Sequence, residues 1–284
     1  MAHQPSYSMV KIIRKIESKL NQLDRNFCRQ KVIFLHIPKC GGTSIGTAIA
    51  SSVNASTKGF IDPIQTREIA REISNQLPEG SQFLMQLRQA MLLQYYMRDE
   101  PYIFGHFPIV RKILEEPKDY LVVTVLREPV ARFISQFKYY LATRFTNQLT
   151  DNKILNQEEI NDLWQTYINS SLAIFHANTL SAYLNHDRNL GIGTKEASDQ
   201  AIDNLDFFHL VGFLDQLNTF TNQFSQISGN KIIIPSKNRT QDKISHQQNK
   251  IFQDVLDHEK YLIAEKMCYH DLKIYNHVLN RQKS

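Results

Sequence analysis

A chain of 284 residues, 42% apolar and 21% charged, has the composition of a folded globular protein and the length of one large domain or two small ones. Its net charge of +5 is scattered rather than gathered into basic runs, which argues against a nucleic-acid-binding protein while suiting a polyanionic ligand. Cys28, Cys40 and Cys268 form no CxxC pair, which excludes a disulfide framework and a cysteine-rich metal site. No stretch reaches membrane-spanning length or reads as a signal peptide, so the expectation is a soluble protein of a reducing, cytoplasmic compartment.

Residues 1–30 read as a loose tail followed by an amphipathic helix over Met9–Phe27, with Ile12, Ile13, Ile16 and Leu20 on one side. Glu17 and Asp24 weigh against a membrane surface, and packing on the rest of the chain or on a second subunit, as in a homodimer, is the commoner outcome. A single domain is expected over 31–284.

The stretch that organises this domain is KVIFLHIPKCGGTSIGTAIA, residues 31–50. Val32–Ile37 is too short for a helix and rich in β-branched and aromatic residues, so it reads as a buried strand, which Pro38 helps to end. Gly41 and Gly42 allow a tight turn, and Thr43 or Ser44 is expected to cap a helix with Ile45, Ala48 and Ile49 on its apolar side. A strand, a glycine turn and a helix N-terminus aim unpaired N–H groups and a favourable dipole at one spot, where Lys39 adds a full charge. This reads as a phosphate cradle, the alternative being an ordinary strand–turn–helix. Lys39 precedes both glycines, whereas the nucleotide triphosphatase loop GxxxxGK[ST] has its lysine after them, so a plain ATP or GTP hydrolysis loop is not expected.

Ser51–Asp62 reads as polar and turn-like, and Thr66–Leu77 and Gln82–Met97 as helices, the second with Leu84, Leu87, Met91 and Leu92 at helical spacing. Tyr102–Phe107 is a short apolar passage around Gly105, and Ile109–Glu115 is a helical turn or two. Tyr120–Leu126 is the second clear buried strand, and Pro129 suits the first turn of a helix running to about Phe145. Thr146–Glu158 is polar, Glu159–Tyr183 reads as one or two helices, and Asn185–Thr194 as a loop. Phe207–Phe213 and Lys231–Ile234 read as further strands joined by a helix through Leu217, Phe220 and Phe224. A polar loop, Asn238–Ser245, precedes two closing helices over Gln247–Leu279. Strands alternating with helices predict an α/β fold, a central and mainly parallel sheet flanked by helices.

Arg127 stands where a buried strand ends, the place where open α/β sheets bind ligands. Ser135 lies about two turns into the next helix, with Arg132 and Lys138 nearby. Guanidinium plus hydroxyl suits a phosphate; the alternative is an ion pair between Arg127 and Glu128 or another carboxylate.

Taken together, PKCGGTS after the first strand and LREPVARFISQFKY after a later one resemble the sulfotransferase superfamily, most of all the branch with the carbohydrate 2-O-sulfotransferases. Those enzymes have a PKxGGTS-like loop for the 5′-phosphosulfate of 3′-phosphoadenosine 5′-phosphosulfate (PAPS) and an R-[DE]-P-x-x-R-x-x-S segment for its 3′-phosphate. The matching positions are Lys39, Gly41, Gly42, Thr43 and Ser44, and then Arg127, Pro129, Arg132 and Ser135. YIFGHFP at 102–108, LVGFLDQL at 210–217, Asn238-Arg239-Thr240 and DLKIYN at 271–276 fit more loosely, so the resemblance spans residues 31 to 276. Cys40 stands where many members have threonine; within the loop its side chain is expected to line the turn rather than act as a nucleophile.

The resemblance implies a P-loop-like three-layer sandwich, PAPS as sulfuryl donor and no metal. It implies that Lys39 neutralises the leaving phosphate, that residues 40–44 hold the 5′-phosphate, and that Arg127 and Ser135 grip the 3′-phosphate. Asn238 and Arg239 would close over the nucleotide, a plain exposed turn being the alternative. An alcohol acceptor needs a base, for which His106 in the GHFP passage is the first choice and His36 the second; a structural histidine is the alternative. His176, His186 and the C-terminal histidines read as surface or packing residues. The acceptor is expected to be a hydroxyl of a carbohydrate or small metabolite, met by helices at 60–100 and 146–200, in a bacterial cytoplasm. Two other classes stay open: a nucleotide-dependent kinase-like protein, for which Asp119 and Asp206 precede strands rather than follow them, and a non-catalytic binding protein.

Overall fold

The computed structural model describes residues 30–53, 58–74, 81–146, 155–234 and 246–283. The expected helix over Met9–Phe27 and the loop containing Asn238, Arg239 and Thr240 lie outside them. Among the described residues one sheet forms from β1 (Lys31–Leu35), β2 (Gly59–Ile61), β3 (Tyr102–Gly105), β4 (Tyr120–Leu126) and β5 (Leu210–Phe213), in the order β2-β3-β1-β4-β5. Every pairing is parallel.

Both faces of the sheet are covered, which is why β1 and β4 read as unbroken apolar runs rather than alternating ones. Val32, Phe34 and Val123 pack against Ile45 and Ile49 of α1 (Gly42–Ser52) and against Phe220 and Phe224 of α10 (Leu217–Ser228). On the opposite face Ile33, Leu35 and Val122 meet α3 (Gln82–Met97), α8 (Thr179–Leu184), α9 (Lys195–Leu205) and α13 (Tyr269–Arg281). A second, all-helical core gathers around Trp164 from α5 (Pro129–Thr146), α6 (Gln157–Ile168), α7 (Ser171–Ala177), α11 (His246–Val255) and α12 (His258–Met267). Helix α2 (Pro63–Ile73), the short α4 (Arg111–Glu115) and a 3-10 turn over Leu214–Gln216 complete the described helices.

Several boundaries differ from the sequence reading. The polar stretch Ser51–Asp62 contains β2, a three-residue edge strand whose Gly59 admits the Tyr95 ring, because a Cβ there would lie 2.6 Å from Tyr95 Cγ. Helix α2 starts before Thr66, since Asp62 caps it by accepting from the Ile64 N–H at 2.7 Å and Pro63 takes the first helical position. Glu159–Tyr183 divides into α6, α7 and α8 because Ser170 caps a new helix, and the closing segment forms three helices because Asp257 caps α12. No element was expected over α9. Lys231–Ile234 forms no strand among the described residues: Ile232 is buried and Ile233 is exposed, a strand-like alternation, but Ile232 packs into the α1–α10 core without a ladder.

The topology has the form that in open parallel sheets places ligands at the strands' carboxyl ends. From β1 the chain leads through α1 to β2 on one side, and from β4 through α5 it leads to β5 on the other. The loops leaving these adjacent strands diverge, which opens a crevice at their carboxyl ends.

Candidate active site

The loop after β1 is bent by two residues in the left-handed region, Lys39 at φ 66° and Gly41 at φ 73°. A lysine held there is uncommon, a conformation that clusters at ligand-binding turns. Gly41, not Thr43 or Ser44, is the N-cap of α1, and it offers no side-chain cap. That corrects the expected cap, and it leaves the first-turn N–H groups without the side-chain acceptor that α2, α3, α6, α7, α9 and α12 each have. Thr43 is exposed and Ser44 half-buried at this end. Gly42 must be glycine for a different reason: a Cβ there would lie 1.9 Å from Cδ2 of His36. Cys40 turns inward, 1% exposed, and burial pushes its thiol up to about 11 against the pull of Arg132 and Arg127. Only its backbone can face a ligand.

Arg127, directly after β4, reaches across to this loop: its Nη1 donates to the Lys39 carbonyl at 3.3 Å. The Lys39 ammonium lies 4.5 Å from the centre of the Tyr139 ring on α5. The two motifs, far apart in sequence, therefore line one crevice. Glu128 is engaged elsewhere, its carboxylate accepting from the Val130 and Ala131 N–H groups at 3.0 and 2.6 Å to cap α5. Ser135 is 9% exposed and stands one turn before Tyr139 on α5. Lys138 is half-buried beside the Phe252 ring, and burial followed by the Arg127 charge lowers its pKa; burial also lowers that of Arg127. Arg132 does not join the crevice. It is fully buried, donates to the His176 carbonyl and stands 3.6 Å from Asp271.

The two candidate bases meet. Leu35 of β1 pairs with Gly105 of β3, so the next residues, His36 and His106, emerge side by side, with ring centres 4.3 Å apart and edge to face. The His36 N–H continues the ladder to the Gly105 carbonyl at 3.0 Å. Burial, then the Lys39 charge, pushes His36 down to about 4. Burial, then His36, Arg88 and Arg67, holds His106 well below the ordinary histidine value. Tyr183 approaches His106 with ring centres 6.4 Å apart and accepts from Nη1 of Arg88 at 3.2 Å.

Arg88 and Tyr139 are absent from the sequence reading of the site. Arg88 could have been noticed, since it falls on the buried stripe of α3 with Leu84, Met85, Leu92 and Tyr96, where a charge is out of place. Tyr139 carries no such signal. His176 is a packing residue, 4% exposed and hydrogen-bonded to the Tyr167 hydroxyl at 2.8 Å. Among the described residues no group of three His, Cys, Asp or Glu is arranged to hold a metal ion, and no helix is long and apolar enough to cross a membrane.

A family model described as "Sulfotransferase family" matches residues 27–277. No curated protein matches the chain. Among solved structures, retinol dehydratase in complex with retinol and PAP is 15% identical, with 86% of this chain and 82% of that one covered and a TM-score of 0.31. Retinol dehydratase in complex with androsterone and inactive cofactor PAP is also 15% identical, over 81% of each chain, with a TM-score of 0.27.

Proposed function

The chain belongs to the sulfotransferase family, and from that premise we propose that it transfers the sulfuryl group of PAPS to a hydroxyl of a carbohydrate or another small-molecule acceptor. The observation that supports this reading is the reach of Arg127 to the Lys39 carbonyl, which brings the glycine loop after β1 and the arginine after β4 together. The donor set fits the nucleotide: an α1 terminus with no side-chain cap, the cations Lys39, Arg127 and Lys138, and the hydroxyls of Thr43, Ser44 and Ser135.

Bound PAPS supplies the sulfuryl electrophile and a phosphate leaving group. Backbone N–H groups at 42–44 hold the 5′-phosphate against the positive end of α1. Lys39, swinging from the Tyr139 face, neutralises charge growing on the departing phosphate. Arg127 and Ser135 hold the 3′-phosphate, the group that separates PAPS from ATP. His106 accepts the acceptor hydroxyl proton, and its neutral form is the one favoured by its surroundings. His36 lies between Gly42 and His106 and aligns the two halves of the reaction.

The test is thermal unfolding with 3′-phosphoadenosine 5′-phosphate (PAP) and with ADP, each with and without magnesium. A ligand at a hundred times its dissociation constant stabilises the native state by about 2.7 kcal/mol. Stabilisation by PAP without magnesium is the expected outcome. ADP acting only with magnesium would move the assignment to a kinase-like protein, and no shift with either would leave a non-catalytic one.

A further inference from the structure

Arg88 is 0% exposed, yet each of its three hydrogen bonds goes to a neutral oxygen. Nε donates to Thr66 Oγ1 at 3.1 Å, Nη1 to the Tyr183 hydroxyl at 3.2 Å and Nη2 to the Pro63 carbonyl at 3.3 Å. No described carboxylate pairs with it, in contrast to Arg132, which has Asp271. A guanidinium buried without a counter-ion costs several kcal/mol, and a methionine of similar volume would fill the space without that cost. Its hydrogen bonds tie α3 to α2 and α8, but neutral donors could do the same, so the bonds do not account for the charge.

The guanidinium reaches His106 by way of Tyr183. Tyr183, which Arg88 holds by its hydroxyl, stands edge to face with the His106 ring. The charged and titratable groups facing His106 are His36 from the end of β1, Arg88 from α3, Arg67 from α2 and the Tyr183 phenol from α8. Among the described residues no carboxylate acts on this imidazole, and each charge that does lowers its basicity.

We propose that Arg88 is a positioning residue for sulfuryl transfer, a buried cation that acts on His106 through the Tyr183 it holds, fixing the ring's place and its electrostatic surroundings until donor and acceptor are bound. The inference rests on His106 being the base. In the step it serves, the acceptor oxygen forms a bond to sulfur, the bond from sulfur to the phosphate oxygen breaks, and the hydroxyl proton passes to His106. The negative donor, once bound, offsets the Arg88 field at the moment the imidazole must become an imidazolium. An uncompensated cation therefore serves a site whose ligand brings the counter-charge.

The test needs no acceptor. The imidazole of His106 is titrated by NMR in histidine-labelled protein, its signal identified by its loss in His106→Gln, for the wild type, Arg88→Gln and Arg88→Lys. The wild-type midpoint is expected below the ordinary histidine value, raised by about one pH unit in Arg88→Gln and left within a few tenths in Arg88→Lys. A midpoint unmoved in Arg88→Gln overturns the inference. If Arg88→Gln does not fold, the wild type and Arg88→Lys decide: a wild-type midpoint at or above the ordinary value of about 6.5 overturns it equally. Failure of PAP to stabilise the wild type would instead remove the proposed function beneath it.

Discussion

Arg127 and Arg132 lie on either side of the first turn of α5, in one motif, yet they belong to regions built on opposite principles. Arg127 opens onto the crevice, where it has a main-chain carbonyl to donate to, while the carboxylate of the adjoining Glu128 caps a helix. Arg132 is sealed into an ionic knot beneath it: Asp271 stands 3.6 Å away and itself accepts from the Leu180 and Ser181 N–H groups at 2.7 and 2.9 Å. In the knot the protein supplies the anion and ties α13 to the start of α8. In the crevice it supplies cations and donors, and under the proposed function the anion is that of PAPS. A shared arginine pattern therefore says little about role until the counter-charge is located.

The comparison can be broken from either side. The largest effect is expected from Asp271→Asn, which leaves Arg132 buried without its counter-ion. That should cost about 3–5 kcal/mol, a large share of the stability of an ordinary domain, read by urea unfolding. PAP affinity of the folded fraction should hold; a selective loss of affinity would place the knot in the binding site. On the crevice side, Lys39→Ala should lower turnover, followed as PAP release from PAPS, by about 10²–10³-fold. Its unfolding midpoint should barely move, because the side chain rests on an exposed tyrosine face rather than in the core. Near-normal turnover would remove Lys39 from the reaction.

The crevice was legible because its geometry is local. A strand, a lysine and two glycines within a few residues dictate the turn, and the turn dictates where N–H groups point. Both histidines could be picked out as candidates, but not their contact, which depends on the parallel register of Leu35 with Gly105. Arg88 was legible only as a charge out of place on an apolar stripe; what it holds, Thr66 and Tyr183, stands on two other helices. The fold class followed from the β1 and β4 runs, whereas β2 was lost because three residues led by a glycine read as a turn. Arg132 was legible only as a neighbour of Arg127 in the motif, because its partners, His176 and Asp271, are remote in sequence.

The smallest effect is also the sharpest discriminator, because it asks whether Arg127 is a ligand-binding cation or half of an ion pair with Glu128. Both Glu128 oxygens accept from the α5 terminus, and its charge raises the Arg127 pKa less than burial lowers it. Glu128→Gln keeps one acceptor and loses the charge at the positive end of the helix, so stability should fall by about 1 kcal/mol. PAP affinity should stay within about twofold, since little attraction between Glu128 and Arg127 has to be broken for a phosphate to bind. If instead Glu128 neutralises Arg127 in the free protein, its loss would release the guanidinium, and PAP would bind about tenfold tighter with each 1.4 kcal/mol set free. Calorimetric titration of PAP into both proteins, beside their unfolding curves, separates the two outcomes.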